Sequence, residues 1–419
     1  MAHIPLHVLM DGKHLGMVGS EPRRSRLVYD SDADAALSLS MPLSKRRWGP
    51  PVVGNWLSAL LPDREPTLAR WRAEFGVTDH NPEALIPFVG EDVAGAAQFV
   101  REDRLEIVTQ RRGQLTSVGE LEIGQLLRRA LADLLPIDAA ASLGHFSLAG
   151  AQAKLALAKL PDGAWAVPSG AEPSTHILKP AMPGLVDQDV AEALAMRTAA
   201  RLGLAVAPVT ISCFGDMRAL VVERFDRRWD GTRWRRDHSE DLCQAMGLSP
   251  IRKYETQAGP GVAQCCAFLS DHFGEGDVRR FAQAVIFNHL TRGSDAHARN
   301  YSIVWDSAGA TLAPLYDLNP TLAYPQLGAV NAAMRVGGEF RFDRVGSLNW
   351  SGFAADAGLD DGWVRDEVTR LANGLPDAIS DACRDEDLRP FTGRLGLAMT
   401  DAAASWCEIV KSKAGARGR

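Results

Sequence analysis

Apolar residues recur along this chain with two different periods, and the period changes with position. The opening MAHIPLHVLMDGKHLGMV alternates apolar and polar positions around Asp11-Gly12, which predicts a β-hairpin. LVYD at 27–30 and LSLSMPL at 37–43 also read as strands. GNWLSALLPD and PTLARWRAEFGV then place apolar residues at helical spacing. Asn81-Pro82-Glu83 is a helix start, with Asn as the cap and Pro first, where its missing N–H is harmless; Gly90 closes that helix. The polar stretch REDRLEIVTQRRGQLTSVGE reads as a connector.

From about residue 140 the pattern is that of a small sheet. A glycine-containing loop leads to a strand over Lys154–Leu160, a turn at Pro161-Asp162-Gly163 and a second strand. THILKP is a further short strand, with Lys179 near its end. Residues 187–202 form a helix with Val190, Leu194, Met196 and Leu202 on one side, stopped by Gly203. VTISCF and RALVVERFD return to strand. Beyond residue 226 helices dominate, among them DVRRFAQAVIFNHLTRG, with YSIVWD and ATLAPLYDL as a strand pair. The reading is an α+β chain in three units: a β-rich 1–105, a small-sheet lobe over 106–226 and a helical 227–419.

Composition narrows the function classes. The 419 residues carry 46 Lys plus Arg against 52 Asp plus Glu, a formal charge of −6, so the basic footprint of a stand-alone nucleic-acid binder is absent. No stretch nears the roughly 20 apolar residues of a membrane span, and the start does not resemble a signal peptide. Six cysteines without a C-x-x-C pair fit a reduced, cytoplasmic protein.

The segment Arg292-Gly293-Ser294-Asp295-Ala296-His297-Ala298-Arg299-Asn300 follows a helix and sets Asp295 and Asn300 five positions apart. Kinase catalytic loops use that interval: Asp orients the attacking hydroxyl and accepts its proton, and Asn holds Mg²⁺. Asp317, in Leu315-Tyr316-Asp317-Leu318, lies where a second metal ligand would come. Upstream, Ser147-Leu148-Ala149-Gly150-Ala151-Gln152 is a loop of small residues that lets backbone N–H groups approach phosphates. Lys179 could reach α- and β-phosphates, Glu192 could pair with it, and Val222-Glu223-Arg224-Phe225 could offer backbone groups to adenine. Taken singly, each has a plainer reading: a capping Asp and turn-forming Asn, a packing His297, a hairpin turn, an exposed lysine, a solvated glutamate. The order of loop, lysine strand, helix, Asp…Asn and Asp favours the chemical one. A metal hydrolase built on His289, Asp295 and His297 lacks zinc-ligand spacing.

These residues sit within segments that resemble the HipA-type toxin kinases of bacterial toxin–antitoxin pairs. LSLSMPL, GEDVAGA, SLAGAQAKLAL, THILKP, VERFDR, SEDLCQAMG, KYE, FNHL, SDAHARN and LAPLYDL occur in that family's order. The resemblance implies a divergent protein kinase of two lobes with an extra β-rich module. It implies ATP and Mg²⁺, with Ala149, Gly150, Ala151, Gln152 and Lys154 covering the phosphates and Lys179 as the nucleotide lysine. Glu223, Arg224 and Phe225 would be the adenine hinge, Asp295 the catalytic base, His297 and Asn300 the rest of its loop, and Asp317 a metal ligand with Asn300. Ser147 matches the serine such kinases autophosphorylate to inactivate themselves. The family's substrates are aminoacyl-tRNA synthetases, glutamyl-tRNA synthetase above all, and their modification slows growth toward persistence. Its partner is a small helix-turn-helix antitoxin, HipB, and the complex represses its own operon. Operator DNA is therefore met only through the antitoxin complex. The basic spots Lys45-Arg46-Arg47, Arg227-Arg228 and Arg233 to Arg236 could touch DNA there or be ordinary solvated surface. Gly293 departs from the family's frequent Asn. Two other readings stand beside this one: a small-molecule kinase of the aminoglycoside phosphotransferase type, and a corepressor without enzymatic activity.

Overall fold

The computed structural model describes residues 4–21, 24–132, 152–182, 184–306 and 309–415. Strand β1 (Leu6–Met10) turns through Asp11 (φ 45°) and Gly12 (φ 82°) into β2 (Lys13–Glu21). Two positive φ values give a two-residue hairpin the twist its strands need. With β3 (Arg24–Tyr29), β4 (Arg47–Trp48) and β5 (Ala97–Val100), these form an antiparallel sheet in the order β4-β3-β2-β1-β5. Helices α1 (Pro50–Ala59), α2 (Glu65–Phe75) and α3 (Ile86–Val89) bury Trp56, Leu57, Leu68 and Ile86 in its core.

Three expectations for this region are corrected. LSLSMPL is not a strand: the Tyr29 hydroxyl accepts from the Leu37 N–H and donates to the Met41 carbonyl, folding the segment over itself. Asn81 makes no side-chain cap bond, and Pro82–Leu85 is a 3₁₀ turn leading into α3, which Gly90 does close. The stretch read as a connector is folded into α4 (Glu102–Thr109), β6 (Gly113–Val118) and the start of α5 (Glu120–Ala132). Its polarity has a simple cause, because β6 is an edge strand exposed along most of its length.

The second sheet adds β7 (Leu155–Lys159), β8 (Trp165–Gly170), β9 (His176–Pro180), β10 (Val209–Phe214) and β11 (Met217–Glu223), in the order β10-β11-β9-β7-β8-β6. Strand alternation sorts its side chains. Leu157, Leu178, Ala219 and Val221 pack against Ile123 and Leu127 of α5, whereas Ile211, Leu220 and Val222 face α6 (Gln188–Arg201). The expectation of one apolar face on α6 is too narrow. Val190, Ala191, Ala193, Leu194, Ala195 and Met196 are all buried, since this alanine-rich helix lies between the sheet and the helical lobe.

The third unit opens with the hairpin β12 (Arg227–Trp229) and β13 (Trp234–Arg236), then β14 (His238–Asp241) and the short α7 (Leu242–Ala245). Helices α8 (Val262–His272) and α9 (Glu275–Thr291) precede β15 (Ser302–Asp306) and β16 (Gly309–Leu312), which pair with β14 as an antiparallel sheet. Strand pairing ends there because Pro314 has no N–H, and the chain crosses instead to the other lobe. The Leu315 N–H donates to Ala205 O (2.8 Å), and the Ala207 N–H to Leu315 O (2.9 Å). Helices α10 (Ser347–Ala357), α11 (Asp361–Ala382) and α12 (Arg389–Gly415), kinked at Gly393, complete the helical lobe. Among the described residues no helix is long and apolar enough to cross a membrane, and the six cysteines are free thiols.

The N-terminal module is locked to both lobes by buried charge. Asp92 accepts from Arg227 (3.1 Å) and Arg236 (3.4 Å), while Arg224 makes a two-pronged pair with Asp226 and donates to Val93 O at 2.8 Å. Arg227 and Arg236 therefore belong to neither a DNA face nor a solvated one. Nearby, Glu240 accepts from the Trp56 indole N–H and the Leu39 N–H, both at 2.9 Å. Gly95 (φ 77°) donates to Asp226 at 2.6 Å, and a Cβ there would lie 2.5 Å from Ser239 O. Gly95→Ala should accordingly cost about 2 kcal/mol or more of stability. Urea unfolding would read the loss, and an unchanged midpoint would contradict this docking geometry.

Candidate active site

The alternation of β9 sends Leu178 to the α5 face and both Ile177 and Lys179 to the opposite one, where a cavity of about 440 Å³ opens between the lobes. The Lys179 ammonium donates to Glu192 Oε1 of α6 at 2.7 Å and to Asp317 Oδ1. Neither plainer reading holds, for Lys179 is 5 % exposed and Glu192 1 %. Burial opposes the lysine's charge, yet the two carboxylates more than offset it and keep the ammonium protonated. Burial also acts against ionised Asp317, but Lys179 and Lys154 hold its carboxyl below the usual range. Glu192 is pushed up, first by burial and then by the Asp317 charge, against the pull of Lys179. Gln188 joins the cluster, donating to Asn319 Oδ1 (2.7 Å) and Glu192 Oε2 (3.3 Å). Asp317 has φ 58°, a left-handed backbone uncommon outside glycine, at the point where the crossing chain turns toward the cavity.

The loop after α9 supplies the facing wall. Arg292 (φ 54°) breaks the helix, and Gly293 follows because Asn288 Oδ1 would lie 2.3 Å from any Cβ there. This local packing accounts for the departure at Gly293. The Asn300 side-chain amide donates to the Asp295 carbonyl at 2.7 Å, leaving Oδ1 as its acceptor end. Asp295 accepts from the Tyr254 hydroxyl, with His297 Nε2 3.8 Å away. The Asp295 side chain keeps 49 % of its surface open where it lines the cavity, though protein encloses its other sides. That enclosure raises its carboxyl, the Tyr254 hydrogen bond works in the opposite sense, and Asp317 adds to the rise. Burial, with Lys253 and Arg299 nearby, lowers the His297 imidazole to about 3, so it is neutral. Its ring stands edge-on to Tyr254, with centroids 4.9 Å apart.

The remaining expected residues divide. Lys154 and Gln152 line the same cavity; Gln152 donates to Pro180 O (3.2 Å) and Gln188 (3.1 Å). Burial and the like charge of Lys179 lower Lys154 to about 8, with Asp317 pulling the other way. Glu223, Arg224 and Phe225 form the cavity edge where the small sheet passes into the helical lobe. The Arg224 guanidinium is spent on Asp226, Ser174 and Val93, and its backbone N–H on Thr175 O at 3.0 Å, so of its polar groups only the carbonyl, which already accepts the Arg227 N–H, keeps acceptor capacity for a ligand. Phe225 stacks on Tyr316 (5.5 Å, 24°). Ser147, Ala149, Gly150 and Ala151 lie outside the described residues. His289 lies apart from the cavity, boxed in by Phe342, Trp350 and Trp406. A hydrolase centre joining it to Asp295 and His297 is excluded by that placement. Tyr254, Lys253 and Asp63, none of them among the expected site residues, all border Asp295 or its loop. Lys-Tyr was visible as a motif, but Asp63 arrives from another module and left no local signal.

Ionised Asp317 and the acceptor end of Asn300 are hard oxygen donors lining the same cavity, a set that suits Mg²⁺ with phosphate oxygens completing its shell. An ammonium beside them suits a polyphosphate, and Asp295 faces the same space as a proton acceptor. Comparison with known proteins bears on the family rather than on single residues. Residues 146–379 match the family profile of the HipA-like C-terminal domain, and residues 6–100 that of the HipA N-terminal domain. The chain is 33% identical over 421 residues to the Y4mE protein of Sinorhizobium fredii, covering 97% of this chain and 98% of that one. It is 32% identical over 322 residues to the serine/threonine-protein kinase toxin HipA of Shewanella oneidensis, covering 73% and 72%. It superimposes on a chain of the Shewanella oneidensis MR-1 complex of HipA, HipB and operator DNA with a TM-score of 0.82, at 26% identity and 98% coverage of both.

Lys179→Met would leave buried Glu192 facing the partly buried Asp317 without a cation between them, and breaking such a pair costs up to about 3 kcal/mol. A carboxyl with a raised folded-state pKa favours the fold at low pH and loses that contribution as pH climbs through the raised value. Glu192 stays raised without its ammonium, because burial and Asp317 both act in that sense. The variant should therefore lose more stability, relative to the unsubstituted protein, at pH 8 than at pH 5 in thermal unfolding. An equal loss at both would contradict the shared-cation arrangement.

Proposed function

The chain belongs to the HipA family of serine/threonine kinase toxins, and on that premise we propose that it moves the γ-phosphoryl group of ATP, with Mg²⁺, to a protein hydroxyl. The observation that carries this is the meeting of Lys179, Glu192 and Asp317 with Asp295 and Asn300 around one cavity. Lys179 binds α- and β-phosphate oxygens, and Glu192 fixes its direction. The hinge backbone at Glu223 to Phe225 receives adenine. Asp317 and Asn300 would hold Mg²⁺, which when bound neutralises charge on the phosphates. Asp295 orients the acceptor hydroxyl and takes its proton as the oxygen attacks the γ-phosphorus; the bond to the β-bridging oxygen breaks and ADP leaves. Its raised carboxyl makes it a better base than an ordinary aspartate.

The acceptor is an aminoacyl-tRNA synthetase, with glutamyl-tRNA synthetase the first candidate, so phosphorylation stops charging and arrests growth in the cytoplasm. Ser147 is the self-modified position: a phosphate beside a bound triphosphate is repelled and expels its loop. A helix-turn-helix antitoxin of the HipB kind neutralises the kinase, and the pair represses its operon. Support for that partner is the likeness to a chain crystallised with HipB and operator DNA. The aminoglycoside-type reading has no place for the N-terminal module, which matches the HipA N-terminal domain over residues 6–100.

Incubation with ATP and Mg²⁺ should add one phosphate at Ser147, located by mass spectrometry. Asp295→Asn should slow that transfer by ~10²–10⁴-fold; near-normal transfer would remove Asp295 from the role of base. A phosphoproteome compared before and after brief expression should show a synthetase as the main new phosphoprotein, and its absence there would redirect the substrate assignment.

A further inference from the structure

We propose that the N-terminal module is a working part of the active site, with Asp63 as a positioning residue that clamps the catalytic loop 295–300 to the segment Lys253-Tyr254. The proposal rests on the reading of Asp295 as base and adds what holds that base in place.

Asp63 lies in the turn between α1 and α2 and reaches the cavity from a module that contributes no expected catalytic group. Its two oxygens are divided between two cations from different segments. Oδ1 accepts from Arg299 Nη1 at 2.5 Å, and Oδ2 from Lys253 Nζ at 2.7 Å. Burial works against the Asp63 charge, but both cations hold its carboxyl below the usual range. Arg299 is the residue before Asn300, and its remaining arms are also fixed. Nη2 donates to Ala59 O at the C-terminal end of α1 (2.8 Å), where a helix favours a cation, and Nε donates to Asp241 (3.2 Å). On the other side, Lys253 O accepts the Ala298 N–H at 3.2 Å, and Tyr254 donates to Asp295. Asp63, Lys253, Tyr254, Asp295 and Arg299 thus close a ring in which the module carboxylate is the one link outside the helical lobe. The module end of the ring is rigid, since Gln244 donates to Trp56 O at 3.1 Å and Leu60 and Leu61 are buried.

A carboxylate is required because one neutral amide cannot balance two cations. Without it, the Lys253 ammonium is released toward the Asp295 carboxylate, whose facing charged and titratable groups are Tyr254, His297, Asp317, Lys253 and Asp63 itself. The loop would then present its base at a shifted angle, and misplacement of a reacting group by about 1 Å costs up to ~100-fold in rate. Nucleotide contacts on the sheet side, at Lys179 and the hinge, are untouched.

The test uses the full chain and follows phosphate incorporation from ATP with Mg²⁺ over a range of ATP concentrations. Asp63→Asn should lower the maximal rate roughly 10- to 100-fold while the half-saturating ATP concentration stays within about twofold. Lys253→Met should slow the reaction in the same direction, and the double variant should be no slower than Asp63→Asn alone, as expected for one shared interaction. A normal maximal rate in Asp63→Asn, or a loss confined to ATP affinity, overturns the clamp. Should Asp63→Asn fail to fold, a normal rate in Lys253→Met, whose side chain is 18 % exposed, overturns it instead. The two readings separate cleanly: a normal Asp63→Asn beside an inactive Asp295→Asn removes only the clamp, whereas an active Asp295→Asn removes the base and the clamp together.

Discussion

One buried ammonium organises this active site. Lys179 stands between Glu192 and Asp317, which belong to α6 and to the segment that follows β16. Two buried charges and a third that is partly enclosed are tolerated only when each is partnered. That requirement fixes the depth of α6 in the lobe, the point where the crossing chain turns at Asp317, and the face of β9 that meets the cavity. The left-handed backbone of Asp317 belongs to the same constraint. A single residue is held in an uncommon conformation because the lysine and the pairing of Leu315 with Ala205 and Ala207 leave it little choice.

The two walls of the cavity differ in kind. The sheet side is a charge cluster with a fixed cation, suited to an anionic ligand that brings its own negative charge. The loop side is built from hydrogen bonds that orient Asp295 and Asn300, with His297 kept neutral by burial. Phosphoryl transfer asks for this division, since the enzyme contributes positioning and charge balance more than covalent chemistry. The N-terminal module ties the walls together: through Asp92 it grips Arg227 and Arg236, and through Asp63 it reaches Lys253 and Arg299.

Much of this was legible along the chain. The hairpin at Asp11-Gly12, the strand ending near Lys179 and the helix before Gly293 all follow from local periodicity and turn chemistry, and the Asp295…Asn300 interval gains its meaning from the order of the elements around it. What escaped depends on long-range contact. LSLSMPL alternates like a strand, but Tyr29 and Gln244 take up its hydrogen bonds. Arg227 and Arg236 look like surface charge until Asp92, more than 100 positions earlier, is seen to bury them. The edge strand β6 hides as a polar connector because nearly all its residues, on both faces, meet water. Asp63 carries no motif, and its place beside Lys253 and Arg299 arises only when the module docks.

Lys179, Asp317, Asn300 and Asp295 are proposed to serve one triphosphate. A crystal structure of the protein with Mg²⁺ and a non-hydrolysable ATP analogue tests it most directly. The expected result puts the Lys179 ammonium on phosphate oxygens, the metal on Asp317 and Asn300, and the Asp295 carboxylate facing the terminal phosphate. A triphosphate seated elsewhere, or one that leaves Asp295 and Asp317 on separate ligands, would contradict it.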